Sequence, residues 1–271
     1  MNSKVNFAVA KKNDGNIEIT FTVPADLISS TKIEVLKEFT KDATIPGFRK
    51  GMAPVAKVEE NISSEKLTEK ILSHILPKAF SDVIIEQKVK PAMYPKFEAI
   101  KIEVGKDWEI KATTCEIPEI NLGDYKKQLK KDEKDENVLI KSLIDAVKVE
   151  IPRMLIDEEV NGRLSQVLER IEKLGLSLEG YLKSVGKTPE SLRAEYEIQS
   201  KNAISLEIIL NKIADQEKIE ISEAQIDEFI KTTGSKSEDV DKEKRDILKR
   251  VLLRRSALDN LTKDAILIKK E

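Results

Sequence analysis

The hydrophobic period of this chain changes three times, and those changes constrain its architecture more than any single motif does. Val5, Phe7 and Val9 alternate with polar or small neighbours, and after Asn13-Asp14-Gly15 the residues Ile17, Ile19, Phe21 and Val23 do the same. A period of two marks a strand with one buried face, and a turn signal between two such runs predicts a hairpin. Pro24-Ala25-Asp26 stops the second strand and offers Asp26 as a helix cap, after which Ile28, Val35, Leu36 and Phe39 follow helical spacing. A second helical stretch runs from Ser63-Ser64 to about Lys88, with Leu67, Ile71, Ile75, Ala79 and Val83 on one stripe and Leu72, Leu76, Phe80 and Ile84 beside it. Pro77 is expected to kink or break it. Alternation returns at Ile100, Ile102 and Val104, turns at Gly105-Lys106-Asp107 and resumes at Trp108, Ile110 and Ala112. The order ββααββ predicts a small α+β domain over residues 1–117, its helices covering one sheet face.

Beyond that point the pattern is helical. Residues 118–125 read as an extended connector, and 126–137 as a solvated charge run acting as a hinge. After Ile151-Pro152, the residues Val160, Leu164, Val167, Ile171 and Leu174 recur at steps of four and three, the seam of a partnered helix. From Pro152 to Leu174 such a helix would be roughly 34 Å long, enough to stand out as an arm. Gly175, Gly180 and Gly186 punctuate a short helix holding Tyr181 and Leu182. Thr188-Pro189 is a start signal, and Leu192, Tyr196, Gln199, Ala203, Leu206, Leu210 and Ile213 repeat the rhythm, so two antiparallel helices would bury both seams. Ser222 with Gln225 is a capping-box signature for a helix bearing Ile226, Phe229 and Ile230. A loop around Gly234-Ser235 leads to a last helix carrying Val240, Ile247, Val251, Leu258 and Leu261. Residues 118–271 are therefore expected to form an all-α domain.

Composition narrows the function classes. The 271 residues carry a net charge of −2, and 18 basic side chains face 16 acidic ones over residues 1–115, so neither half is a polycation. Any affinity for nucleic acid must come from a local patch. In the cluster Lys249-Arg250-Val251-Leu252-Leu253-Arg254-Arg255, Asp246 and Asp259 lie within helical reach, which favours a solvated helix face. Cys115 is the only cysteine; no intramolecular disulfide can form, and a core thiol in a strand is expected. His74, the only histidine, has no catalytic companions, and there are neither phosphate-binding glycine motifs nor paired cysteines for zinc. Catalysis, a metal and a cofactor are not expected. With no apolar leader and no long apolar run, the chain reads as cytosolic and without a membrane partner.

One stretch spends unusual residues: Ile45-Pro46-Gly47-Phe48-Arg49-Lys50-Gly51-Met52-Ala53-Pro54. Glycines bracket an aromatic and two cations, with prolines outside them, which makes a defined turn between helices. A displayed Phe48 beside Arg49 and Lys50 suits a polyanionic surface, the cations meeting phosphate or carboxylate while the ring stacks or fills a pocket. The same composition also fits a plain interhelical linker whose Phe48 folds back onto the core.

These residues carry a resemblance. From the strand before Val23-Pro24-Ala25-Asp26, through Gly47-Phe48-Arg49-Lys50-Gly51 and Pro54, to Lys90-Pro91-Ala92, the chain resembles bacterial trigger factor, a chaperone that docks beside the ribosomal exit tunnel. That family's loop reads G-F-R-x-G-K-x-P. Five of the six defined positions are present, and Met52 stands where lysine is usual. The resemblance implies that Gly47, Phe48, Arg49, Lys50, Gly51 and Pro54 form a ribosome anchor meeting exit-tunnel protein and rRNA. Met52 implies weaker, less salt-sensitive docking. Met154-Leu155-Ile156-Asp157-Glu158-Glu159 and Ile221-Ser222-Glu223-Ala224-Gln225-Ile226 look like arm segments of the family's C-terminal domain, which resembles the helical core of the periplasmic chaperone SurA.

Ordinary members insert a prolyl-isomerase domain between connector and arms. Here the charge run passes straight to Val138-Leu139-Ile140, and the second half has no tryptophan to line such a pocket. The resemblance thus implies an ATP-independent chaperone without the isomerase, sheltering nascent or unfolded polypeptides and forming a weak homodimer off the ribosome. Met154, Leu155, Ile156, Phe229 and Ile230 are the candidate client-binding residues, each of which could equally be core. A free cytosolic holdase or assembly chaperone without ribosome docking, and a residual prolyl isomerase, are the alternatives.

Overall fold

At the first turn, the Gly15 amide donates to the Lys12 carbonyl (3.2 Å) and the Lys12 amide to the Asn16 carbonyl (2.8 Å), joining β1 (Asn6–Lys11) to β2 (Asn16–Val23). Gly15 adopts φ +81°, a conformation that only a residue without Cβ enters freely. Strands β3 (Lys96–Lys101) and β4 (Trp108–Cys115) complete an antiparallel sheet of order β1-β2-β4-β3. Its register sets Phe7 opposite Phe21 and Phe21 opposite Ile110. Ile17, Ile19, Phe21 and Val23 are buried on one face, packed with Ile28, Val35, Ile71, Ile75 and Val83 from helices laid across it.

The computed structural model describes residues 4–117, 119–128, 135–233 and 240–267, and the chain divides into two compact units, 1–117 and 118–271. In the first, α1 (Ala25–Asp42), α2 (Val55–Glu60) and α3 (Ser64–Gln87) stand between the hairpins, so the element order is ββαααββ, one short helix more than the periodicity predicts. Asp26 is not the cap of α1; it sits in the first turn, and Pro24 occupies the cap position without a side-chain bond. The cap comes from the β3–β4 turn, where Asp107 Oδ1 accepts the Ala25 amide at 2.9 Å. Pro77 does not end α3, which runs through it for 24 residues. Buried Leu76, Ala79 and Phe80 hold that part of the helix against the sheet, and proline removes only one backbone bond there.

β3 also departs from expectation. It begins four residues before Ile100 and stops at Lys101 after a register shift, leaving Ile100, Ile102 and Val104 exposed. As an edge strand it is anchored by Phe97, whose ring lies 6.5 Å from Phe21 and 6.3 Å from Phe80.

The second unit contains α4 (Tyr125–Gln128), α5 (Glu136–Ala146), α6 (Arg153–Lys173), α7 (Leu178–Ser184), α8 (Pro189–Gln216), α9 (Glu223–Thr232) and α10 (Lys242–Leu267). Residues 119–128 are more than a connector. Leu122 and Tyr125 are buried with Leu139, Leu143, Ile209, Ile213 and Leu261, and Lys126 pairs with Glu217 at 2.7 Å. Positions 129–134 of the charge run, and the loop at Gly234-Ser235, lie outside the described residues.

Local signals at the starts of α8 and α9 held. Thr188 and Ser191 form a capping box with Pro189 in the first turn of α8, and Ser222 and Gln225 form one on α9. Helices α6 and α8 pack antiparallel. Arg153 bonds both Asp157 (3.1 Å) and Glu197, while Arg193 donates to Asn161 at 3.1 Å. On α6, Val160 and Ile171 are buried but Leu174 is exposed; on α8, Gln199 and Ala203 face outward and Ser200 takes the buried position. Of the residues expected to face inward near α10, Leu261 is buried and Val240 and Leu258 pack against the core clusters, but Ile247 and Val251 are exposed, and Leu248, Leu252, Leu253 and Ala257 take the inner face instead. Among the described residues, no helix is long and apolar enough to cross a membrane.

Candidate functional site

The segment between α1 and α2 is built from two successive turns. Phe48 N–H donates to the Ile45 carbonyl at 3.0 Å and Met52 N–H to the Arg49 carbonyl at 2.9 Å. Pro46 and Gly47 fill the central positions of the first turn and Lys50 and Gly51 those of the second, with φ +86° at Gly47 and +78° at Gly51. That is the type II signature, in which the third residue needs positive φ. The Gly51 amide also donates to the Ala43 carbonyl (3.1 Å), closing the loop across its base.

The two glycines differ in their surroundings. A Cβ on Gly47 would meet open space, whereas on Gly51 it would stand 2.9 Å from the Lys41 carbonyl oxygen in the last turn of α1. Beneath the loop, Ala53 and Val58 are buried, Lys32 pairs with Glu59 at 2.6 Å to tie α1 to α2, and the Lys66 ammonium lies 5.6 Å over the Phe39 ring to tie α3 to α1.

This base presents the anchor candidates outward. Phe48 is 42% exposed and stands outside the hydrophobic core, so the turns hold its ring in solvent instead of folding it back. Arg49 is exposed with no ion-pair partner among the described residues, and Lys50 reaches Asp42 only at 3.5 Å between exposed side chains. Met52 is 73% exposed at the position where a further cation would sit. The outcome is an aromatic ring and two cations on a hydrogen-bonded tip, with Pro54 starting α2.

The proposed client-binding residues divide. Ile156 and Ile230 are buried, Ile230 in a cluster with Ile221 and Ile226, and a packed side chain offers no surface to a client. Met154, Leu155 and Phe229 are half-buried. Sequence reasoning missed the turn between α6 and α7, where Leu174, Leu176 and Leu178 are exposed, Leu174 by 67%. The signal was present. In Leu174-Gly175-Leu176-Ser177-Leu178 the glycine takes φ +68° and ends α6, so Leu174, counted above in the seam, falls at the helix cap and Leu176 lies between the two helices.

Four ionisable side chains singled out by type or cluster are engaged in packing. His74 Nε2 lies 3.3 Å from Glu38 Oε2 and helps tie α3 to α1. Cys115 is buried, and burial pushes its thiol up to about 11. Arg254 pairs with Glu207 of α8, and Arg245 with Glu223 (2.7 Å) and Asp227 (2.9 Å) of α9, so this basic stretch is spent partly on helix packing.

Comparison with known proteins bears on both units. The family model described as bacterial trigger factor protein matches residues 5–151, and that of the trigger factor C-terminus matches residues 121–268. The two overlap, leaving no residues for a domain inserted between them. Trigger factor of Streptococcus suis is 30% identical over 180 residues, covering 65% of this chain and 38% of that protein. Trigger factor of Staphylococcus epidermidis is 30% identical over 190 residues, covering 66% and 44%. The aligned chain thus spans less than half the length of these relatives. A solved structure from work on "Promiscuous Substrate Recognition in Folding and Assembly Activities of the Trigger Factor Chaperone" superposes with a TM-score of 0.66 over 96% of this chain and 100% of that one, at 12% identity, a likeness of fold. With family models covering its α+β unit and its helical unit alike, the chain belongs to the trigger factor family.

Proposed function

We propose that this protein is an ATP-independent, cytoplasmic chaperone that docks on the ribosome through Gly47, Phe48, Arg49, Lys50, Gly51 and Pro54 and shelters nascent polypeptides with its helical unit. The observation that carries the docking part is the pair of hydrogen-bonded turns holding Phe48, Arg49 and Lys50 in solvent. Arg and Lys contribute phosphate or carboxylate contacts, and the ring fills a pocket that charge alone would not select. Tethering at the tunnel exit raises the effective concentration of a weak binder around every emerging segment. Half-buried Met154, Leu155 and Phe229 and the exposed leucines at the α6–α7 turn are dispersed apolar groups, suited to contacts that need no fixed sequence. No isomerase step belongs to this reading, because its support is two family models that meet without an insertion.

Ribosome co-sedimentation at two salt concentrations tests it, comparing the parent with a Phe48→Ala, Arg49→Ala, Lys50→Ala variant. The parent should pellet with ribosomes, less so at higher salt, and the triple variant should stay in solution. If neither pellets while both keep an unfolded client soluble, docking is wrong and the protein is a free holdase, a reading that Met52 in place of a cation favours.

A further inference from the structure

Three acids fall within residues 41–61, the stretch from the end of α1 through the loop and α2: Asp42, Glu59 and Glu60. Lys32 takes Glu59 (2.6 Å) and Lys57 takes Glu60 (2.7 Å), so both are paired with cations outside the loop tip. Asp42 is different. Its carboxylate lies 3.5 Å from the ammonium of Lys50, one of the two cations that follow Phe48. The backbone sets this contact. The Gly51 amide donates to the Ala43 carbonyl at 3.1 Å, and Lys50 and Asp42 are the residues immediately before those two, so closing the loop brings acid and cation together. Arg49 has no ion-pair partner among the described residues.

Stability does not account for an acid at this position. Asp42 is the last residue of α1, where the negative end of the helix dipole disfavours a carboxylate. Among the described residues its side chain accepts no backbone N–H, and with 88% of it exposed its pair with Lys50 is of the kind that contributes little to folding. What the acid does change is the charge that the tip offers. Lys50 against Asp42 is a neutral pair, and Met52 adds no charge, so Arg49 is the unopposed cation of residues 43–54 among the described residues.

We propose that Asp42 is an internal competitor for Lys50 that restrains docking and sharpens its specificity. In the free protein it neutralises Lys50. On the ribosome a phosphate or carboxylate takes the ammonium instead, and the released Asp42 is repelled by the anionic surface. Both effects lower affinity and leave more of the selection to the Phe48 ring and the planar fork of Arg49, which need a pocket and a fixed geometry. A plain polyanion with no place for the ring is disfavoured most. This role of Asp42 rests on the docking reading and adds a determinant of its strength.

The test titrates purified ribosomes against the full chain and reads the pelleted fraction at two salt concentrations, for the parent, Asp42→Asn, Lys50→Ala and the double variant. Asp42→Asn should bind about three- to fivefold more tightly at low salt, the scale of one exposed pair, and lose binding more steeply as salt rises. In the Lys50→Ala background the same substitution should gain less than about twofold, because no ammonium remains to be released. The fluorescence of Trp108, the only tryptophan, should place the Asp42→Asn urea midpoint at or above the parent's, since an acid leaves a helix C-terminus. If the Phe48, Arg49, Lys50 triple variant loses binding but Asp42→Asn binds no more tightly than the parent, or gains as much without Lys50 as with it, the restraint is overturned and the docking reading stands. A lower midpoint with no gain in binding would make Asp42 part of the fold and overturn it too. If the parent and Asp42→Asn both stay in solution with the triple variant, the docking reading falls and the restraint falls with it.

Discussion

The two glycines of the loop between α1 and α2, Gly47 and Gly51, should respond very differently to the same substitution. Replacing either by alanine puts a Cβ on a residue at positive φ, which costs about 1–2 kcal/mol. At Gly47 that is the whole effect, since the new methyl meets nothing within 4 Å. At Gly51 the methyl stands 2.9 Å from the Lys41 carbonyl oxygen, inside van der Waals contact with backbone that belongs to α1. To relieve it the loop must pull away and stretch the Gly51 to Ala43 bond, for a further ~1 kcal/mol, or the last turn of α1 must fray.

Gly51→Ala is therefore expected to destabilise the first unit by about 2–3 kcal/mol and Gly47→Ala by about 1–2 kcal/mol. Trp108 is the only tryptophan and lies buried in β4, so its fluorescence reports on this unit during urea unfolding. With an m-value of about 2 kcal/mol/M, the midpoints should fall by about 1–1.5 M and about 0.5–1 M. Ribosome pelleting should follow the same rank. Equal midpoints for the two variants, or a Gly51→Ala midpoint within about 0.2 M of the parent, would refute the claim that close backbone approach sets this loop.

Two further outcomes are expected. Asp107→Ala should lower the Trp108-detected stability by about 1 kcal/mol, the usual loss for an N-cap, while Asp26→Ala should cost less and in a salt-dependent way, because Asp26 contributes only to the helix dipole; the reverse order would show that the cap is local after all. Cys115 should resist a thiol reagent at pH 8 until the first unit unfolds. Burial raises its folded pKa to about 11, so the folded state keeps a proton that the unfolded thiol releases from about pH 8.5; the contribution is complete below that value and is lost as pH rises toward 11, which Cys115→Ser should flatten. Rapid labelling of the native protein would contradict it.

Much of the candidate loop was legible because its chemistry is local. Pro46-Gly47 and Lys50-Gly51 select type II turns from their own dihedral preferences, and such turns leave Phe48 and Arg49 between them whatever the rest of the chain does. The client-binding candidates were less legible. Ile156 and Ile230 share composition with Met154 and Phe229, and only packing separates a buried residue from a presented one. Edge status misled in the same way: the alternation through Ile100, Ile102 and Val104 reads like a half-buried strand, yet a strand with one neighbour and a register shift leaves them in water.

Sequence alone determined the elements whose causes lie within a few residues: the Asn13-Asp14-Gly15 hairpin, the capping boxes at Thr188 and Ser222, the period-two burial of Ile17 through Val23 and the two type II turns. Tertiary structure decided whatever needed a partner distant in the chain. Asp107 caps a helix 82 positions away, Leu122 and Tyr125 leave a polar stretch to join a core, and α10 turns Leu252 and Ala257 inward in place of Val251. It also brought the Pro91–Pro95 segment beside α3 and the β3 edge. Hydrophobic burial is non-directional, so periodicity states how many apolar faces a chain has; which residues stay exposed depends on which other elements arrive to cover them.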